Sequence, residues 1–199
     1  MRTPLLLLTA FVGACQAKAT PTAVEVVLRD KADATVLTLV RSATGCTAEP
    51  GGAITAGAGS ASTSELSFGP GPAGPEIRNT TAAGGTVARV VSEDVPTRRL
   101  SIIDPIGVPM VRVTYAADGA TVAEASRAVI GRIADEAGGL RYLDARDDSK
   151  GGVVTGAKDL PLVARLEIAA PLLVPADLPL PARALLACER LAAVTPSVK

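Results

Sequence analysis

The chemistry open to this chain is limited by the side chains it carries. It has three cysteines, Cys15, Cys46 and Cys188, and no histidine. Without histidine the commonest general base and metal ligand are missing, and Ser-His-Asp and Cys-His nucleophiles are excluded. The usual four-ligand zinc sets are excluded with them. Catalysis would have to rest on Asp, Glu, Ser, Lys, Arg or Tyr. No Gly-x-Ser-x-Gly elbow or Ser-x-x-Lys motif is present. Asp144, Asp147 and Asp148 with Gly151 invite comparison with a calcium loop. That pattern needs an oxygen ligand where Arg146 stands and a Glu where Thr155 stands. Gly57-Ala58-Gly59 lacks the third glycine of a dinucleotide-binding turn. Arg89, Arg112 and Arg132 recur at comparable positions and form the one candidate anion-binding set, provided they share a face. No metal or cofactor is expected.

The N-terminus addresses the protein. After Met1-Arg2-Thr3-Pro4 comes an apolar run from Leu5 to Val12, broken only by Thr9. A basic end, a short apolar stretch and small residues describe a secretory signal. The run is too short to span a bilayer, which takes about 20 apolar residues. Val12-Gly13-Ala14-Cys15 resembles the bacterial lipobox. The resemblance implies a diacylglycerol on the Cys15 thiol and cleavage just before it, giving a signal peptide over 1–14 and a lipidated tether over 15–22. It places the protein in a bacterial cell envelope, held to the membrane by its N-terminal lipid. Gln16 in place of Asp leans toward the outer membrane in a Gram-negative cell. With Cys15 lipidated, Cys46 and Cys188 are the remaining thiols. Export favours a disulfide between them; two buried free thiols are the alternative.

Composition narrows the partners. Loss of Arg2 leaves 19 basic against 20 acidic residues, with no basic block. That balance argues against nucleic acid. Phe68, Tyr115 and Tyr142 are the only aromatics beyond the signal, too few for base stacking. The core must be built from Val, Leu, Ile and Ala.

The elements that position these residues repeat along the chain. Leu28-Arg29-Asp30 precedes Val36-Leu37-Thr38-Leu39, and Ile77-Arg78-Asn79 precedes Val87-Ala88-Arg89-Val90. Ile102-Ile103-Asp104, Val122-Ala123-Glu124 and Tyr142-Leu143-Asp144 open three further units, their acidic residues 20 apart. Each unit reads as strand, polar turn, strand. In Asp104-Pro105-Ile106-Gly107, proline fixes φ and glycine supplies the positive φ a turn needs. Val111, Val113 and Tyr115 then alternate with Met110, Arg112 and Thr114. Pro109 belongs at an edge or a bulge. Over 122–137 a helix competes with a hairpin: Thr121 and Glu124 form a capping box and Val122, Ala125, Val129 and Ile133 follow helical spacing. The 20-residue repeat favours the hairpin, turning at Ser126-Arg127. Residues 51–75, rich in Gly, Ser, Ala and Pro, read as a long flexible loop. Prolines punctuate 161–181, and one apolar helix is expected over Ala182–Ala193 with Cys188 on its inner face.

The expectation is therefore a single mainly β domain over 23–199, repeated hairpins closing into a barrel or sandwich with an apolar C-terminal helix. The hairpin units and the stretch Leu180–Ala193 resemble the tubby-like fold, with its LURP-one relatives. That resemblance implies about twelve strands closed around a helix, with a sixth hairpin near Leu66-Ser67-Phe68. The basic phosphoinositide-binding residues of tubby proteins have no counterparts here. The expected role is a non-catalytic structural or interaction module of the envelope with a protein partner there. The alternatives are a lipid or small-molecule binder and a hydrolase using carboxylates.

Overall fold

The computed structural model describes residues 24–81, 83–94, 97–124, 128–136, 139–156, 158–174 and 177–195. Cys15, the signal segment and the Ser126-Arg127 turn lie outside the described residues. Fourteen antiparallel strands close into one barrel, each paired with its sequence neighbour and β1 with β14. The strands are β1 (Glu25–Arg29), β2 (Thr35–Arg41), β3 (Gly45–Glu49), β4 (Gly52–Gly57), β5 (Ser60–Ser62), β6 (Leu66–Gly71) and β7 (Gly74–Asn79). They continue with β8 (Thr86–Glu93), β9 (Arg99–Ile103), β10 (Pro109–Tyr115), β11 (Gly119–Glu124), β12 (Val129–Glu136), β13 (Gly139–Asp144) and β14 (Ser149–Thr155). Two helices follow, α1 (Leu162–Leu173) and α2 (Leu180–Val194).

The five hairpin units are β1–β2, β7–β8, β9–β10, β11–β12 and β13–β14. The helical reading of 122–137 fails because Val122 pairs with Gly131 and Ala120 with Ile133 across two strands. Alternation works as the pattern requires: Val111, Val113 and Tyr115 are buried, Met110, Arg112 and Thr114 only partly so. Pro109 sits beside a register shift opposite β9, where no ladder donor is needed.

Two expectations are corrected. Residues 51–75 are not a flexible loop; β4, β5, β6 and the start of β7 run through them. Glycine and serine lowered their strand signal, but backbone pairing to β3 and β8 fixes both edges. Gly45 shows how close that pairing is: a Cβ there would meet the Ile54 carbonyl oxygen. The single C-terminal helix is also corrected, because α1 precedes it and contains Pro171. The strand count accordingly exceeds the twelve of the tubby-like resemblance, and two helices stand where it implied one.

Both helices fill the lumen. Leu166 to Leu173 of α1 are buried without a break, and so are Ala184 to Glu189 of α2. A helix buried all round must be surrounded by protein. α1 packs on β10 to β14 and α2 on β2 to β6, the opposite arcs of the wall. Alternate strand residues, among them Leu37, Leu39, Ile77, Ile102 and Ile133, complete the core from outside. Among the described residues no helix is long and apolar enough to cross a membrane.

The antiparallel order gives the barrel two distinct ends. Val24, where the described chain begins, and Thr195, where it stops, lie at one end, here the entry rim. The Val24 carbonyl accepts the Arg41 N–H (2.8 Å), and the Thr195 carbonyl accepts from Arg41 Nη2 (3.5 Å). The turns β1–β2, β3–β4, β5–β6, β7–β8, β9–β10 and β13–β14 stand at the far rim.

Candidate functional site

Of the residues singled out by the sequence, Cys15 lies outside the described residues, and Cys46, Cys188 and the three arginines lie within them. Cys46 lies on β3 and Cys188 on α2, and they form a disulfide with Cα atoms 6.0 Å apart. That spacing is within the range a disulfide needs. Both cysteines are in the core. The bridge pins the lumen helix to the wall.

The arginines are not brought together. Arg89, Arg112 and Arg132 stand on β8, β10 and β12, and all three are on the outer face. Alternate strands place them at least about 10 Å apart laterally. Arg132 is taken by Asp147, whose Oδ1 accepts from its Nε (3.2 Å). Arg89 Nη2 donates to the Pro105 carbonyl (3.3 Å). The three form no common anion cradle.

A different polar group assembles at the entry rim. α1 carries Glu167 and α2 carries Glu189 into the barrel mouth, both almost fully buried. Glu167 Oε1 lies 2.6 Å from Arg98 Nε, and Arg98 also faces Asp94 at 3.4 Å. Glu189 Oε1 accepts the Gly59 N–H (2.8 Å) from the β4–β5 turn. Its Oε2 is 3.2 Å from Arg190 Nε, a charge contact without hydrogen-bond alignment, so that oxygen is left short of a donor. Arg190 Nη2 donates to Ser92 Oγ (2.8 Å) on β8. Tyr115, at the end of β10, faces the same small cleft of about 80 Å³.

Burial pushes the Glu167 carboxyl above the usual carboxylate range, with Arg98 and Arg190 opposing the shift. Burial and the nearby Glu167 charge push the Tyr115 phenol up as well. Two buried carboxylates at one mouth are the arrangement that a carboxylate hydrolase would need. Here Glu167 pairs with Arg98 and Glu189 Oε1 accepts a backbone N–H, a polar group that bridges helix and wall. It ties α1 to the β8–β9 connection and α2 to the β4–β5 turn. Sequence reading missed these residues. A signal was there, since Glu167 stands alone in Leu166-Glu167-Ile168-Ala169-Ala170, and an isolated acid in an apolar run needs a partner.

A second entry-rim cleft of about 250 Å³ lies between Asp135, Glu136, Lys158 and Arg165. Arg165 makes a bidentate pair with Asp135 (2.6 and 3.1 Å) along its wall. Ligand sites for drug-sized molecules usually exceed about 300 Å³ and are mostly apolar. This cleft is smaller, and charged groups line it. At the far rim, Asp144 Oδ1 accepts from the Arg146 and Asp148 N–H groups, and its Oδ2 meets Lys150 Nζ at 2.9 Å. Asp144 thus closes its own turn and pairs with Lys150. Compared with known proteins, the chain matches no family model, no curated protein and no solved structure.

Proposed function

We propose that the protein is a lipid-anchored module of a bacterial cell envelope, held through a lipid on Cys15. It acts without catalysis, through its outer surface, on another envelope component. The observation that carries this reading is the apolar run ending in Val12-Gly13-Ala14-Cys15. Two features support it. The Cys46–Cys188 disulfide suits an oxidising compartment outside the cytoplasm. The lumen, filled by α1 and α2, leaves the outer wall and the two rims as the surfaces open to a partner. Gln16 favours the outer membrane in a Gram-negative cell.

The test is a Cys15→Ala variant followed in membrane and soluble fractions, with the mass of the mature N-terminus measured alongside. The anchored reading expects wild-type protein in the membrane fraction with diacylglyceryl mass on Cys15, and the variant in the soluble fraction. A variant that stays membrane-bound with unchanged mobility overturns it.

A further inference from the structure

We propose that the small cleft beside Tyr115 at the entry rim binds a small oxyanion, a carboxylate or a phosphate-type group. Such a site is independent of the anchor on Cys15. The cleft lies where both lumen helices meet the wall. Ser92 reaches it from β8, Arg98 from the β8–β9 connection and Tyr115 from β10, while Glu167 comes from α1 and Arg190 from α2. Its volume is about 80 Å³. A water takes about 30 Å³ in the liquid, so the space suits a few waters or one small ion.

The decisive group is the Tyr115 hydroxyl. Tyr115 is 6 % exposed, and among the described residues its hydroxyl has no hydrogen-bond partner. A buried tyrosine hydroxyl ordinarily finds one. The guanidinium groups beside it are short of acceptors too. Arg98 Nε meets Glu167 at 2.6 Å and Asp94 at 3.4 Å, but these are charge contacts, and among the described residues Arg98 donates no aligned hydrogen bond. Arg99 Nε is buried without a partner, and Arg99 Nη1 stays 3.8 Å from Glu93. Arg190 gives Nη2 to Ser92 and keeps Nη1 free of any described acceptor.

Three guanidinium groups and two carboxylates line the cleft. Asp94 is largely exposed, so water screens it. Glu93 and Glu189 touch Arg99 and Arg190 from outside the lining, at 3.8 and 3.2 Å. The field is therefore mixed, and hydrogen bonding selects the ligand more than net charge does. A guanidinium offers a planar fork of N–H groups that two oxygens of a carboxylate or phosphate match. The tyrosine hydroxyl adds a donor from the core side. A cationic ligand would have to displace Arg98 from Glu167 and Asp94. An apolar one would leave the Tyr115 hydroxyl unpaired.

The experiment titrates the full protein, purified in a non-ionic detergent, with inorganic phosphate, acetate or chloride at matched ionic strength, and follows binding by calorimetry. The expected result is saturable binding of phosphate or acetate and none of chloride. Tighter phosphate assigns a phosphate-type group as the ligand, and tighter acetate a carboxylate. Tyr115→Phe removes one oxygen that no described protein group holds, so it should fold as wild type does and bind several-fold more weakly. Glu167→Gln removes the carboxylate that opposes an incoming anion and releases Arg98, so it should bind several-fold more tightly. A general loss of structure does not move two variants in opposite directions. Wild-type protein that saturates with neither oxyanion, or with chloride equally well, overturns the proposal. So does saturable binding that both variants leave unchanged.

Discussion

Arg98 Nε and Glu167 Oε1 lie 2.6 Å apart across the mouth of the barrel. The two ends of this ion pair have different surroundings: the Arg98 side chain is about half exposed and that of Glu167 is 8 % exposed. Removing the arginine strands a buried carboxylate, while neutralising the glutamate leaves a cation that water can solvate. Arg98→Ala should therefore destabilise by about 2 kcal/mol, the cost of a buried charged group left short of a partner. Glu167→Gln should cost less. The double variant should recover part of the Arg98→Ala loss. Urea titrations of the four proteins check this, and additive losses would show that the pair is not coupled.

The same pair sets a pH dependence. The Glu167 carboxyl is raised in the fold by burial, so over the window just above the ordinary carboxylate range the folded state holds the proton more tightly than the unfolded state. Stability then falls as pH rises through that window. Glu167→Gln lacks this term. The stability difference between the variant and wild type should shift toward the variant as pH rises from the ordinary carboxylate range to neutrality. Arg98→Ala, having lost the cation that opposes the shift, should regain stability on acidification. Denaturation midpoints across that range give the slope, and a flat difference would remove Glu167 from the account.

The Cys46–Cys188 bridge spans 142 residues of sequence. Closing so long a loop removes unfolded-state entropy worth about 5 kcal/mol in the chain-entropy treatment. That approaches the whole stability of a small domain, about 5–15 kcal/mol. Reduction, or the Cys46→Ser and Cys188→Ser double variant, should lower the unfolding midpoint sharply. The effect should be larger than that of any single entry-rim charge change. Unfolding followed with and without reductant measures it, and an unchanged midpoint would assign the bridge no role in stability.

The parts of the fold that were legible and those that were not differ for a physical reason. The five hairpins are made of Val, Ile and Leu at alternate positions around an acidic or Asn residue, and strand period and turn chemistry coincide there. β3 to β5 break that pattern because several of their inward residues are small. Ala48 and Ala61 point into the core, and a small side chain is what lets a lumen helix lie so close. The same smallness makes the segment read as a loop. α1 was hidden by its prolines: Pro161 stands at its N-cap and Pro171 lies within it. The barrel lumen shields this helix, so propensity was the weaker term. The entry-rim group was least legible, since Arg98, Glu167, Glu189 and Arg190 meet only when the barrel closes.

Packing around Ala61 yields its own prediction. A larger side chain there must displace α2, since Ala61 is 5 % exposed and β5 contacts that helix. Ala61→Leu should destabilise by about 1–3 kcal/mol through overpacking. Ala58→Leu, three residues away on an exposed turn, should be within about 0.5 kcal/mol of wild type. Thermal unfolding of both separates a lumen-facing β5 from a surface loop.

Three far-rim turns share one construction, and it explains the recurring aspartate. In Asp30–Ala34, Asp104–Val108 and Asp144–Asp148, the first N–H donates to the fifth carbonyl, at 2.9, 2.9 and 3.1 Å. The fourth N–H donates to the first carbonyl, at 3.0, 3.2 and 2.9 Å. The aspartate Oδ1 accepts the fifth N–H, at 3.0, 2.7 and 3.0 Å. The fourth residue has positive φ in each, Asp33 at 66°, Gly107 at 97° and Asp147 at 63°. This is a three-residue hairpin loop ending in a left-handed residue, with a carboxylate closing it. The acceptor matters here more than the charge. Asp104→Ala should cost about 1 kcal/mol, the net worth of one hydrogen bond. Asp104→Asn keeps an acceptor oxygen and should stay close to wild type. Gly107→Ala forces a Cβ into the left-handed region and should cost about 1–2 kcal/mol. Urea midpoints with unchanged slopes are the readout. If Asp104→Asn lost as much as Asp104→Ala, charge rather than the hydrogen bond would be holding the turn.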